Sequence, residues 1–249
     1  MKALITGASS GIGADFARKL SSMGYDLILV ARREDRLKAL AEELGGNVKI
    51  ISKDLSVAQN CIELFDEVKD EDIDILINNA GLGLFGEFTD IDLDKELTMI
   101  NTNITCLHIL MKKFLILFKE RNRGYILNIA SSAAFLPGPL LSSYYATKAY
   151  VLRLTQAVYK ELALHKSKVY VGALCPGPVD TEFNSVAGVE FNLKGLTSSY
   201  VVNYAVKKMF RGKTVIIPGV GVRMGTFFSR FLPMKLLLAI SYRIQRKKM

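Results

Sequence analysis

Residues 143–151 read SYYATKAYV, which sets Lys148 four residues after Tyr144 and three after Tyr145. On a helix both spacings bring a phenol and an ammonium onto one face. A free phenol titrates near ~10 and gives up its proton reluctantly at neutral pH. An ammonium within a few Å stabilises the phenolate and makes the group a usable acid and base. The same spacing also describes a half-buried aromatic ring beside a solvated lysine, so the pair takes its meaning from the rest of the chain.

A second chemical feature lies at the other end of the chain. LITGASSGIGADFARKL runs from a strand through a glycine turn into a helix, with Gly7, Gly11 and Gly13. Glycine is required where a backbone turns sharply, approaches a pyrophosphate or packs helix on strand. Ser9, Ser10 and Ile12 complete the turn, and the helix N-terminus faces the phosphates. It is not a Walker loop, because Gly11 is followed by Ile12 and not by Lys with Ser or Thr. At the end of the second strand, where an acid would read the ribose of NAD, the chain has VARRED, with Arg32 at that place and Arg33 beside it. A guanidinium binds a 2′-phosphate that an acid would repel, which favours NADP(H). The competing reading is that both arginines solvate the start of the next helix, since Glu34 and Asp35 already suit its N-terminus.

TGASSGIG, NNAG at 78–81, a serine thirteen residues before Tyr144 and PG at 176–177 occur in this order. Together they resemble the single-domain branch of the short-chain dehydrogenase/reductase family, over residues 1 to about 217. The resemblance implies an NADP(H)-dependent oxidoreductase moving hydride to or from a carbonyl or secondary alcohol. It makes Tyr144 the acid/base and gives Lys148 two tasks, tuning that phenol and holding the cofactor ribose. Ser131, with Ser132 as its rival, would hydrogen-bond the substrate oxygen. Asn103, in preference to Asn101, would hold a water joining Lys148 to solvent, or else bond backbone. Asn78, Ala80 and Gly81 would line the cofactor cleft, and Pro176, Gly177 and Thr181 would meet the nicotinamide. Asp54, with Leu55 beside it, would touch the adenine, although Asp54 also suits a helix cap.

The elements that must position these groups follow from the apolar patterning. Strands are predicted at 2–6, 26–31, 48–52, 74–78, 124–131, 168–174 and 214–217, with helices between them, the longest at about 92–119 and 142–166. Such alternation specifies an α/β fold, a doubly wound (Rossmann) seven-stranded parallel sheet with helices on both faces in a single domain. The reading takes residues 1–217 as the catalytic region, with a substrate lid at about 180–200, and 218–249 as a basic apolar tail of the same domain.

Composition narrows the remaining classes. The three cysteines, Cys61, Cys106 and Cys175, and the two histidines have no metal-ligand spacing, so no metal is expected. The start lacks a secretory signal and no stretch is long enough to span a membrane, which predicts a cytoplasmic protein. The net charge of +9 is uneven: no acid follows Glu190, while twelve bases do. That quarter lacks a nucleic-acid motif, so no nucleic-acid partner is expected. Two readings of the tail compete: its stripe through Met234, Leu237, Ile240 and Ile244 packs on the body or a second subunit, or it lies in a membrane interface. Apolar faces on the two long helices suit a homodimer or homotetramer, and apolar walls near 82–88, 133–141 and the lid suit a hydrophobic carbonyl compound. The alternative from another class is a non-catalytic, dinucleotide-sensing interaction protein, against which Ser131, Tyr144 and Lys148 argue.

Overall fold

The computed structural model describes residues 1–183 and 195–246. Aliphatic runs, bounded by turn residues, form β1 (Lys2–Thr6), β2 (Asp26–Ala31), β3 (Val48–Ser52), β4 (Ile73–Asn78), β5 (Tyr125–Ile129) and β6 (Tyr170–Leu174). Two short pieces, β7 (Val179–Asp180) and β8 (Leu196–Thr197), pair with each other, and β9 (Val215–Ile216) closes the edge of the main sheet. The seven-stranded sheet is parallel throughout, in the order β3-β2-β1-β4-β5-β6-β9. The strand order reverses between β1 and β4, and a doubly wound sheet opens its ligand crevice at that point.

Alternation along each strand divides the core in two. Ala3 and Ile5 of β1 face a cluster with Leu27, Leu29, Phe16, Leu20 and Leu37, whereas Leu4 faces one with Ile28, Val30, Leu64, Phe114 and Phe118. The first layer is covered by α1 (Gly11–Ser21), α2 (Glu34–Leu44) and α7 (Ser198–Met209). The second is covered by α3 (Ala58–Val68), α5 (Leu107–Arg121) and α6 (Ser142–Leu164), with α4 (Leu93–Ile100) packed against α6. Burial of side chains on both strand faces explains why the strands read as continuous apolar runs.

Three features depart from the sequence reading. The helix expected over 92–119 is interrupted by a π-helical segment, Asn101–Cys106, between α4 and α5. Its wider turn directs Thr102, Asn103 and Cys106 inward together. Within the lid expected at about 180–200, β7 and β8 form a parallel pair, while the 184–194 part of that expectation lies outside the described residues. In the tail, Pro233 separates α8 (Val220–Phe228) from α9 (Met234–Arg246), and only Leu237 of the apolar stripe lies on the docked face. Leu237, Ser241 and Gln245 are buried, whereas Met234, Ile240 and Ile244 are exposed. Positions four apart stack on one face of a helix, and that face is anchored by hydrogen bonds: Ser241 Oγ donates to Pro137 O at 3.0 Å and Gln245 Nε2 donates to the Tyr145 hydroxyl.

Candidate active site

The carboxyl ends of β1, β4, β5 and β6 open into a cleft of about 400 Å³ that runs from Arg32 and Arg33 to Phe183. At one end lies the glycine turn. Gly7 has φ +64°, and a Cβ there would sit 2.9 Å from Ala80 Cα. Thr6 fastens the same point: its Oγ1 accepts from the backbone N–H groups of Asn79 and Ala80, both at 3.0 Å. Asn79 Nδ2 returns two bonds, to Thr6 O and Gly7 O, each 3.0 Å. Gly13 does not line the cleft; a Cβ on it would stand 2.2 Å from Gly7 O, so its absence of side chain lets α1 pack against the turn.

Both arginines reach this end of the cleft, but their surroundings differ. Arg33 donates to Ser9 Oγ at 3.1 Å and to Ser10 Oγ at 3.0 Å, which lays its guanidinium across the turn. Arg32 is exposed and stands 4.0 Å from Asp54. Both line the cleft, and Arg33 is the one held against the glycine turn. Asp54 Oδ1 accepts from Ser56 N at 2.9 Å and from Ser56 Oγ at 2.8 Å, so it is a turn-capping residue that also lines the cleft beside Leu55. Glu182, at the start of the lid, accepts from Arg33 at 3.2 Å and from Arg36 at 2.7 Å. Those hydrogen bonds, Arg36 first, hold its carboxyl below the usual range.

At the other end Ser131, Tyr144 and Lys148 line one wall. Ser131 caps a short 3₁₀ turn, Ser132–Phe135, accepting from Ala133 N at 3.1 Å, and its side chain lies on the same cleft wall as the Tyr144 phenol. The Lys148 ammonium donates to Ile129 O at 2.9 Å and lies 5.8 Å from the Tyr144 ring centre. Burial pushes the Tyr144 phenol up to about 12, with the Ser131 hydroxyl opposing it. Burial also lowers Lys148 to about 8, with the negative form of nearby Cys175 acting in the other direction. Desolvation is the leading cause at both groups, raising the phenol and lowering the ammonium. Phe183 packs its ring 5.5 Å from that of Tyr144.

Several predicted residues are placed otherwise. Asn78 does not line the cleft; its amide donates to Asn128 Oδ1 at 3.0 Å between β4 and β5, and Asn128 continues to Thr155 at 2.9 Å. Asn79, which the sequence reading passed over, occupies the cleft side. Asn103 lies behind the wall, bonding both polar groups of Leu82 at 2.9 Å and Thr147 Oγ1 at 3.0 Å. Its amide is occupied with backbone and Thr147, the alternative to a water-holding role. It remains near Lys148: a Cβ on Gly81 would come within 3.0 Å of Asn103 Oδ1 and 3.3 Å of Lys148 Nζ. Asn101 is exposed. Ile12, Ala80, Gly81, Ser132, Pro176, Gly177 and Thr181 all line the cleft. Tyr145 does so too, its phenol tied to Gln245 a hundred residues away.

A glycine turn with no room for side chains, a helix N-terminus and a guanidinium bracing two hydroxyls fit a dinucleotide phosphate. A phenol, a hydroxyl and an ammonium at the far end fit proton transfer to an oxygen.

The profile described as short chain dehydrogenase matches residues 1–189. An uncharacterized oxidoreductase of Staphylococcus epidermidis is 40% identical over 182 residues, covering 72% of this chain and 78% of that protein. The NADP-dependent 3-hydroxy acid dehydrogenase of Salmonella typhi is 37% identical over 190 residues, covering 75% of this chain and 76% of its own length. A solved short-chain dehydrogenase from Sphingobium yanoikuyae in complex with NADPH superposes with a TM-score of 0.84 at 34% identity, covering 92% of this chain and 93% of that one. With its parallel sheet, glycine turn and Tyr-x-x-x-Lys helix, the chain belongs to the short-chain dehydrogenase family of oxidoreductases.

Proposed function

We propose that the protein is an NADP(H)-dependent oxidoreductase that interconverts a carbonyl and a secondary alcohol on an apolar substrate. One observation carries this reading: Ser131, Tyr144 and Lys148 share a cleft wall with the Arg33-braced glycine turn at the far end. Bound NADP(H) supplies or accepts the hydride. Arg33, Ser9 and Ser10 hold the 2′-phosphate end, assisted by Arg32, and Ala80, Gly81, Pro176, Gly177 and Thr181 line the remainder. In reduction, Tyr144 passes its phenolic proton to the substrate oxygen as negative charge develops there, and Ser131 donates a hydrogen bond to the same atom. Burial keeps Tyr144 in the acid form that reduction needs, and Lys148, at about 8, holds a proton it can release near neutral pH. Asn103 acts through others, fixing Leu82 and Thr147 on either side of the wall.

The apolar part of the cleft, with Leu82, Ala133, Leu141, Tyr145 and Phe183, supports a hydrophobic substrate. Exposed Leu93, Leu97, Ile116, Tyr150, Tyr159 and Leu164 on α4, α5 and α6 support assembly into a homodimer or homotetramer. The test is a thermal-shift titration with NADPH and NADH, followed by NADPH oxidation with a panel of apolar ketones by wild type and Tyr144→Phe. A ligand at 100 times its dissociation constant adds about 2.7 kcal/mol of stability. Stronger stabilisation by NADH, or full turnover by Tyr144→Phe, would refute the proposal.

A further inference from the structure

We propose that α8, α9 and the turn between them dock on an anionic lipid surface. Three phenylalanines cluster there in the open: Phe227 is 52% exposed, Phe228 56% and Phe231 71%. Their rings meet at 5.4 and 5.5 Å. On α9, Leu236, Ile240 and Ile244, spaced by four, form an exposed stripe beside the docked face. Apolar surface of this kind, gathered into one region, marks an interaction site.

Charge selects the partner. Arg223, Lys235, Arg243 and Arg246 are exposed on the same two helices and Arg230 on the turn between them, and no acid follows Glu190 anywhere in the sequence. A second copy meeting this face through a two-fold axis would set these bases against their own equivalents with no carboxylate between them. A nucleic acid would satisfy the bases and leave the phenylalanines in water. An anionic bilayer surface answers both: rings and aliphatic side chains enter the headgroup boundary while the bases meet phosphates. Among the described residues no helix is long and apolar enough to cross a membrane, so the helices lie along the surface. The segment is firmly seated, with Val222 over Gly177, Thr226 and Leu237 buried, and Ser241 and Gln245 bonded to Pro137 and Tyr145. A helix is about 10 Å across, so lipid touching the outer side of α9 lies about that distance from the Tyr145 wall of the cleft.

The experiment is co-sedimentation of the full-length protein with phosphatidylcholine vesicles, with and without phosphatidylglycerol, at low and high salt. Binding should require phosphatidylglycerol and fall with salt. Arg230→Ala and Lys235→Ala should each weaken it about five-fold. The triple variant Phe227→Ser, Phe228→Ser, Phe231→Ser should weaken it more than about a hundred-fold while its melting temperature and NADPH binding stay near wild type. The single base variants carry the test if the triple variant fails to fold. No vesicle binding, or binding indifferent to these substitutions, would overturn the proposal. So would duplex DNA binding that survives loss of the phenylalanines, or a triple variant that only becomes a smaller oligomer.

Discussion

Lys148→Met should stabilise the cofactor-free protein while abolishing turnover. The lysine is 4% exposed and burial lowers it from 10.5 to about 8. Its folded-state value lies below the unfolded one, so between those two values the unfolded chain binds more protons and stability rises with pH. Below about 8 both states are charged and the full penalty is present. At 1.36 kcal/mol per unit, this penalty is about 3 kcal/mol at pH 7 and shrinks to about 1 kcal/mol at pH 10. Methionine removes it but leaves Ile129 O without its 2.9 Å partner, which costs about 1 kcal/mol. The net gain at pH 7 is therefore about 2 kcal/mol, or roughly 4–8 °C for a chain of this size. Differential scanning calorimetry of wild type and variant, without cofactor, at steps from pH 7 to 10 measures the gap. It should narrow steadily and close near pH 10. A destabilised variant at pH 7, or a gap constant with pH, would refute the claim that burial of the ammonium dominates its energetics.

Arg33→Ala should weaken NADPH binding by about 1–3 kcal/mol, and by more than Arg32→Ala, since Arg33 alone is braced by Ser9 and Ser10; isothermal titration with NADPH and NADH measures both. Tyr145→Phe should retain catalysis but lower stability by about 1–3 kcal/mol, because it strands the buried Gln245 amide, and a urea melt reads this loss. Gly13→Ala should destabilise by at least ~1–3 kcal/mol through the 2.2 Å approach to Gly7 O, seen as a lower urea midpoint even without cofactor.

The sequence by itself determined what depends on neighbours along the chain. The apolar runs of β1, β2 and β3 are bounded by turn residues closely enough that the expected ranges 2–6, 26–31 and 48–52 coincide with the observed strands. Gly7 and Gly13 were legible because a turn and a close packing leave no room for a Cβ. Tyr144 and Lys148 share a face because i and i+4 always do on a helix. Other assignments needed contacts from distant parts of the chain. Alternation puts Asn78 and Asn79 on opposite sides, but only Asn128 on one side and the glycine turn on the other decide which enters the cleft. Arg33 differs from Arg32 through Ser9, Ser10 and Glu182, the last 149 residues away. The docked face of α9 was fixed by Pro137 and Tyr145, which hold a polar pair, Ser241 and Gln245, inward beside Leu237 and leave Met234, Ile240 and Ile244, the rest of the apolar stripe, exposed. The pKa shifts of Tyr144 and Lys148 follow the same rule, since spacing sets who stands near whom, while the dielectric around them is built by every element that closes over the site.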